Sequence, residues 1–439
     1  MLGSVGIRVY PALVLLAFGG LGSGMSQLAH AVVRSLAQRC PAGVAAAHQL
    51  ELDTATLRGI VAVSSRDVWA WGSVKTARPV SASFDNGNLV TLVEHFDGEA
   101  WCAVNTANWV DDNVTGVAAV SANDAWAVGG QPTKHGGGRP LIEHWNGQAW
   151  ADVPSPPVAG ADAGLAWVSA SSASNVWSFG AYGFNAQSGN LVERWDGRTW
   201  KLMLEPAFQP SPYGPRANPT AMVTLSATDT WLVGVAEVSG PQPWAAHWDG
   251  RRWTDMVLPH ALAPASYSPD LKATCEASSA AYLGLSIAAV RSDDVWVTGF
   301  QTPEQRGGSC PLAFQWDGTQ WHEVWMAASA QDTRLLNRTY NSKWGWQFTG
   351  MAAVSSSDIW AMVDPQQFAL HWDGRSWHVI SAFVGPRTAQ GYKVTSMSAS
   401  GSGDVWALTD LDMAQPGTPW NALHWDGKHW RGVSILPVG

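Results

Sequence analysis

The chain is 439 residues long, enough for several domains, yet only 14% of it is charged while Gly (44), Pro (25) and Trp (28) are plentiful. That balance suits many short strands and turns better than helices. A net charge of −9 with no Lys/Arg stripe argues against a nucleic-acid surface.

In chain order, Arg8 precedes an apolar run from Val9 to Leu21, and Ala29-His30-Ala31 offers a small-x-small cleavage site. Residues 1–31 therefore read as an export signal peptide, with no membrane insertion once it is removed. An uncleaved anchor is the alternative, but the run is short for a span of about 20 residues. Residues 32–56 form a lead segment. Cys40 follows Ala37-Gln38-Arg39, which is not the small-residue context of a lipid-attachment box. All four cysteines (Cys40, Cys102, Cys275 and Cys310) lie past the signal. An even count in an exported chain permits two disulfides.

From residue 57 to 439 one passage is written seven times. The copies begin their second strand at Asp67, Asp124, Asn175, Asp229, Asp294, Asp358 and Asp404. They turn at Asp97-Gly98, Asn146-Gly147, Asp196-Gly197, Asp249-Gly250, Asp317-Gly318, Asp373-Gly374 and Asp426-Gly427. Each copy predicts four strands. Strand a is a small apolar run such as Gly116-Val117-Ala118-Ala119-Val120-Ser121, and strand b follows a tight Ser-x-x-Asp turn as in Asp124-Ala125-Trp126-Ala127-Val128-Gly129. Strand c alternates, as in Leu141-Ile142-Glu143-His144-Trp145, and strand d carries the last Trp. An Asn-Gly or Asp-Gly step suggests a two-residue primed hairpin between c and d. That register sets Trp145 opposite Gln148, His144 opposite Ala149 and Glu143 opposite Trp150. Regular repeats with no helical period predict an all-β, seven-bladed propeller with four antiparallel strands per blade. The blades start near 57, 114, 165, 219, 284, 348 and 394.

An aromatic strand ending in Gly, then an aromatic-Asp turn, then Trp resembles a kelch-type repeat, as in galactose-oxidase-type propellers. Asp124-Ala125-Trp126-Ala127-Val128-Gly129 with Glu143-His144-Trp145-Asn146-Gly147 is also similar to the Trp-rich repeats of secreted bacterial proteins. The double Gly of kelch repeats occurs once, at Gly129-Gly130. The resemblance covers about residues 57–435 and implies the fold.

Three repeat positions hold 20 of the 28 Trp: seven in strand b, six in strand c, where Phe96 takes the first place, and seven in strand d. Recurrence in every blade points to packing rather than to sugar stacking. The repeat His (His95, His144, His247, His371 and His424) sit one per blade and cannot converge on a metal; Arg194 and Gln315 replace them twice. They read as cross-strand polar packing, and the repeat Asp as turn formers. No metal and no cofactor is expected.

Strand alternation puts the short a–b and c–d turns on one side of the disc and the b–c loops and d–a crossovers on the other. The latter vary: 22 residues separate Trp101 from the next repeat Asp, but 40 follow Trp253 and 36 follow Trp321. Binding residues concentrate on such loops. The stretch 257–284 carries Tyr267, Asp270, Glu276 and Tyr282. The stretch 325–347 carries Trp325, Asp332, Arg334, Arg338, Tyr340, Lys343, Trp344 and Trp346. Trp325, Arg334, Arg338, Tyr340, Trp344 and Trp346 are the candidate binding residues, for a glycan or a protein partner. Their alternative role is to pack the insertion on the blade edge. Cys275 and Cys310 fall on the same side and can pair; Cys40 with Cys102 would fasten the lead segment to blade one. No nucleophile elbow, zinc motif or phosphate loop is present, so no catalytic residue is assigned. The sequence thus predicts an exported, monomeric, non-catalytic binding propeller. The second reading is a carbohydrate-active enzyme, galactose-oxidase-like or sialidase-like, with a pocket at the channel mouth.

Overall fold

The computed structural model describes residues 52–76, 89–104, 113–133, 137–158, 162–183, 189–203, 217–237, 240–259, 263, 265–276, 280–303, 309–325, 347–364, 368–381, 394–409 and 421–435. They form seven four-stranded antiparallel sheets, each built in chain order from one contiguous stretch. In blade 1 strands a to d are Leu52–Ser64, Asp67–Thr76, Leu89–Phe96 and Trp101–Ala103; in blade 7 they are Val394–Gly401, Asp404–Thr409, Ala422–Trp425 and Trp430–Val433. The seven-bladed propeller predicted from the repeats is the fold observed. Strand a of blade 1 starts at Leu52, ahead of the first repeat position near 57.

Strands a of neighbouring blades pack against one another, so they surround the axis and strands d form the rim. An innermost strand has a free edge whose amides need partners. The Ser- and Thr-rich composition of strands a supplies them from the next blade. Thr224 N donates to Ser169 Oγ at 2.9 Å, and Thr115 Oγ1 donates to the Leu165 carbonyl at 2.8 Å. Ring closure uses the same device: Ile60 N and Ala62 N of blade 1 donate to Ser396 Oγ at 3.3 Å and Ser398 Oγ at 2.9 Å of blade 7.

The indoles fill the wedges between blades. Trp69 of blade 1 meets Trp145 and Trp150 of blade 2 at 5.7 and 5.8 Å between ring centroids. The same trio recurs at every interface and closes with Trp406 of blade 7 against Phe96 and Trp101 of blade 1 at 6.0 and 5.7 Å. The strand-b and strand-d rings cross steeply each time, from 78° for Trp126 and Trp200 to 90° for Trp231 and Trp321. Edge-to-face packing suits the aromatic quadrupole. It is also the geometry in which an indole N–H can be directed at a π face, and all seven strand-d Nε1 atoms lack a hydrogen-bond acceptor. Burial is graded: strand-b Trp are at most 3% exposed, whereas Trp195, Trp316, Trp372 and Trp425 of strand c are half-buried.

The c–d turn corrects the expected hairpin. Trp145 lies directly opposite Trp150, His144 opposite Ala151 and Glu143 opposite Asp152, so the loop has four residues, Asn146 to Ala149, rather than two. Asn146 N donates to the Ala149 carbonyl at 3.3 Å. The reason is the Asn or Asp side chain. Asn146 Oδ1 accepts from Gln148 N at 2.9 Å and Ala149 N at 3.0 Å, a side-chain turn that competes with the two-residue alternative. Gly147, at φ 89°, supplies the left-handed residue that this turn needs.

Candidate functional site

The two sides of the disc are built differently. On the short-turn side every blade repeats one polar unit. His95 Nε2 lies 2.8 Å from Asp67 Oδ1, and its ring stacks on Trp69 with centroids 4.0 Å apart. The unit recurs as His144–Asp124, His247–Asp229, His371–Asp358 and His424–Asp404 at 2.7–2.9 Å. Where His is replaced the contact survives: Gln315 Nε2 donates to Asp294 Oδ1 at 2.9 Å, and Arg194 Nε donates to Asn175 Oδ1 at 3.1 Å with its guanidinium over Trp177. In four blades the strand-b indole donates to the same carboxylate, as Trp231 Nε1 does to Asp229 Oδ1 at 2.8 Å.

The repeat Asp are therefore more than turn formers; they are acceptors joining strands b and c, buried at every Asp position except the half-buried Asp124. Burial pushes the Asp229, Asp358 and Asp404 carboxyls up. Hydrogen bonds from the facing His, from Ser292, Ser402 and Ser400 respectively, and from the Trp outweigh that, and all three end below the usual value. Sequence order hid this because His and Asp lie 13 to 28 residues apart. The signal that could have found it is joint replacement within the repeats, Asn175 with Arg194.

The side bearing the b–c loops and d–a crossovers holds the one helix among the described residues, α1, Pro269–Cys275. Ser268 caps it, its Oγ accepting from Leu271 N at 3.3 Å, with Pro269 opening the first turn. Around it Ala263, Tyr267, Leu271, Cys275 and Cys310 form a small core of their own. Cys275 and Cys310 are joined as a disulfide, Cα to Cα 5.1 Å, tying the crossover after blade 4 to strand c of blade 5. Buried Gln301 of strand b donates to the Thr274 and Cys275 carbonyls and holds the helix end down. Cys102 is disulfide-bonded as well; its expected partner, Cys40, lies outside the described residues.

Trp325 is half-buried and packs edge-on against Tyr267 with ring centroids 5.7 Å apart, so it seals this lobe. Arg334, Arg338, Tyr340, Trp344 and Trp346 lie outside the described residues, as does Lys343. Among the described residues no group of three or more His, Cys, Asp or Glu is arranged to hold a metal, and no helix is long and apolar enough to cross a membrane.

No protein-family model matches the chain, and no curated protein does. Solved propellers are similar at low identity. A puromycin-hydrolyzing peptidase of Mycobacterium tuberculosis aligns with TM-score 0.52 and 11% identity over 90% of this chain and 55% of its own. YCF48 bound to D1 peptide aligns at 0.45 and 14%, over 82% and 93%. The Aleuria aurantia lectin in complex with alpha-methyl-L-fucoside aligns at 0.41 and 10%, over 88% and 97%. At these identities the likeness is one of fold.

Proposed function

We propose that the protein is an exported, monomeric propeller that binds a glycan or protein partner through the side formed by its b–c loops and d–a crossovers. One contrast carries this reading. The short-turn side spends its polar groups on repeated internal contacts in every blade. The opposite side departs from the repeat, above all in the lobe around α1, with its own core and disulfide. A scaffold keeps identical what it needs for packing and varies what it presents. Export by residues 1–31 accords with disulfide formation in an oxidising compartment. Kinship to kelch-type repeats rests on the repeat motif, and the binding role of the 325–347 segment rests on its aromatic and basic composition.

Glycan-array and pull-down binding by wild type, by Trp325→Ala and by the double variant Trp344→Ala plus Trp346→Ala test the reading. Binding should fall at least tenfold in the double variant while the melting temperature holds. Unchanged binding by the double variant removes the 325–347 segment as the site.

A further inference from the structure

The seams between blades differ in where the strand-b indole sends its N–H. In blades 4 to 7 it goes to the repeat carboxylate: Trp231 to Asp229, Trp296 to Asp294, Trp360 to Asp358 and Trp406 to Asp404, Nε1 to Oδ1 at 2.6–3.0 Å. In blades 1 to 3, Nε1 of Trp69, Trp126 and Trp177 has no acceptor among the described residues. Three of the carboxylate-bound indoles also touch a half-buried strand-c indole of the next blade. Trp231 meets Trp316 at 5.4 Å between ring centroids, Trp296 meets Trp372 at 5.1 Å, and Trp360 meets Trp425 at 5.0 Å. The N–H groups of Trp372 and Trp425 go to neutral carbonyls, those of Ser356 and Ser402. Trp126 meets half-buried Trp195 at 5.0 Å as well, so blade 2 supplies the ring contact without the carboxylate.

We propose that the seams between blades 4 and 5, 5 and 6, and 6 and 7 are redox sites, each taking one oxidising equivalent from a radical in solution onto its buried strand-b indole. The oxidant, an oxygen- or nitrogen-centred radical, removes one electron from the half-buried indole and is itself reduced. The strand-b indole, in ring contact, then gives up an electron to its oxidised neighbour, so the positive charge moves inward. Direction comes from the carboxylate. An anion against a ring stabilises positive charge appearing on that ring, most strongly where water is excluded, and Trp231, Trp296 and Trp360 are all buried. As charge appears, the indole N–H proton shifts along its hydrogen bond toward Asp Oδ1 and stays within the pair. A reductant from solution later supplies one electron, the proton shifts back, and the indole is restored. The seam between blades 5 and 6 has the simplest unit: Asp294 accepts from Trp296 and from the neutral amide of Gln315, with no His at that position.

Azidyl radicals made by pulse radiolysis oxidise indoles by one electron and serve as the probe, with ascorbate as the reductant. Peptide mass spectrometry then measures hydroxytryptophan and kynurenine at each position of the intact, folded chain. Trp316, Trp372 and Trp425 should be oxidised several-fold less than Trp195, which is half-buried as they are and touches an indole with no carboxylate on it. Asp294→Asn, which copies Asn175 of blade 3, should raise oxidation at Trp372 to the level of Trp195 while Trp316 and Trp425 stay protected. Trp296→Phe should do the same, because phenylalanine does not yield an electron to this radical. The wild-type comparison needs no variant, so it reads the point even where a variant folds poorly. Equal oxidation of Trp372 and Trp195 in wild type, or oxidation at Trp372 unchanged by folded Asp294→Asn, overturns the proposal.

Discussion

Trp377 gives the sharpest test of the indole interfaces. It is 0% exposed, crosses Trp296 of blade 5 at 89° with centroids 5.8 Å apart, and touches Trp372 at 5.8 Å. Replacing a fully buried Trp by Ala costs about 3–5 kcal/mol from lost burial and the cavity left behind, of which each aromatic pair supplies about 0.5–1.5 kcal/mol. Against a total stability of about 5–15 kcal/mol, Trp377→Ala should move the denaturation midpoint far while leaving the protein folded in buffer. Trp425 sits half-buried at the corresponding strand-c position, and Trp425→Ala should cost about half as much or less. Equilibrium urea unfolding followed by circular dichroism measures both. A cycle with Trp296→Leu then isolates the contact between blades, with an expected coupling of about 1 kcal/mol. A cost below about 1 kcal/mol for Trp377→Ala, or zero coupling to Trp296, would refute the claim that these rings hold adjacent blades together.

Other outcomes follow from the same geometry. Asp229→Ala strips the acceptor from His247 and Trp231 and should cost about 2–4 kcal/mol. Asp229→Asn with His247→Arg, copying Asn175 and Arg194 of blade 3, should recover most of it, read by urea midpoint. The lowered carboxyls of Asp229, Asp358 and Asp404 contribute stability that is complete above the unfolded value near 3.9 and lost as pH falls through their folded values. Acid titration should therefore show a stability loss below pH 4 that Asp404→Asn reduces. Gly374→Ala, at φ 92° with Ser357 Cβ 2.8 Å from the added carbon, should cost about 1–2 kcal/mol. Cys275→Ser with Cys310→Ser should expose residues 258–276 to proteolysis while the blades melt within a few degrees of wild type.

Repeat spacing made blade number, strand order and the Trp positions legible, because each copy repeats one hydrophobic alternation and one turn. Pairing of Cys275 with Cys310 was legible from topology, since a crossover and a b–c loop emerge on the same side. The c–d register was not. Asn-Gly signals a two-residue loop by backbone preference alone, while Asn146 Oδ1 binds two further amides and lengthens it. The buried role of Asp67 and its equivalents escaped for a related reason: a short acid at a turn looks solvated until strand c brings a His over it. Glu94, Glu143 and Glu193 follow the ordinary polar alternation of strand c, yet all three are buried, because each blade is covered by its neighbour in the ring.

Among the described residues no strand is exchanged to seal the propeller: Ser396, Ser398 and Trp406 fasten blade 7 to blade 1 with side chains of the kinds used at other seams. Covalent order is thus decoupled from architecture, and the gene can be cut elsewhere. Ten residues carry the chain from strand d of blade 2, ending at Asp152, to strand a of blade 3, starting at Ala163, so a linker of that length in place of the flanking residues should join Val433 to Leu52. Circular permutants opening at any crossover would then keep all seven sheets whole, a topology compatible with growth by duplication of entire blades.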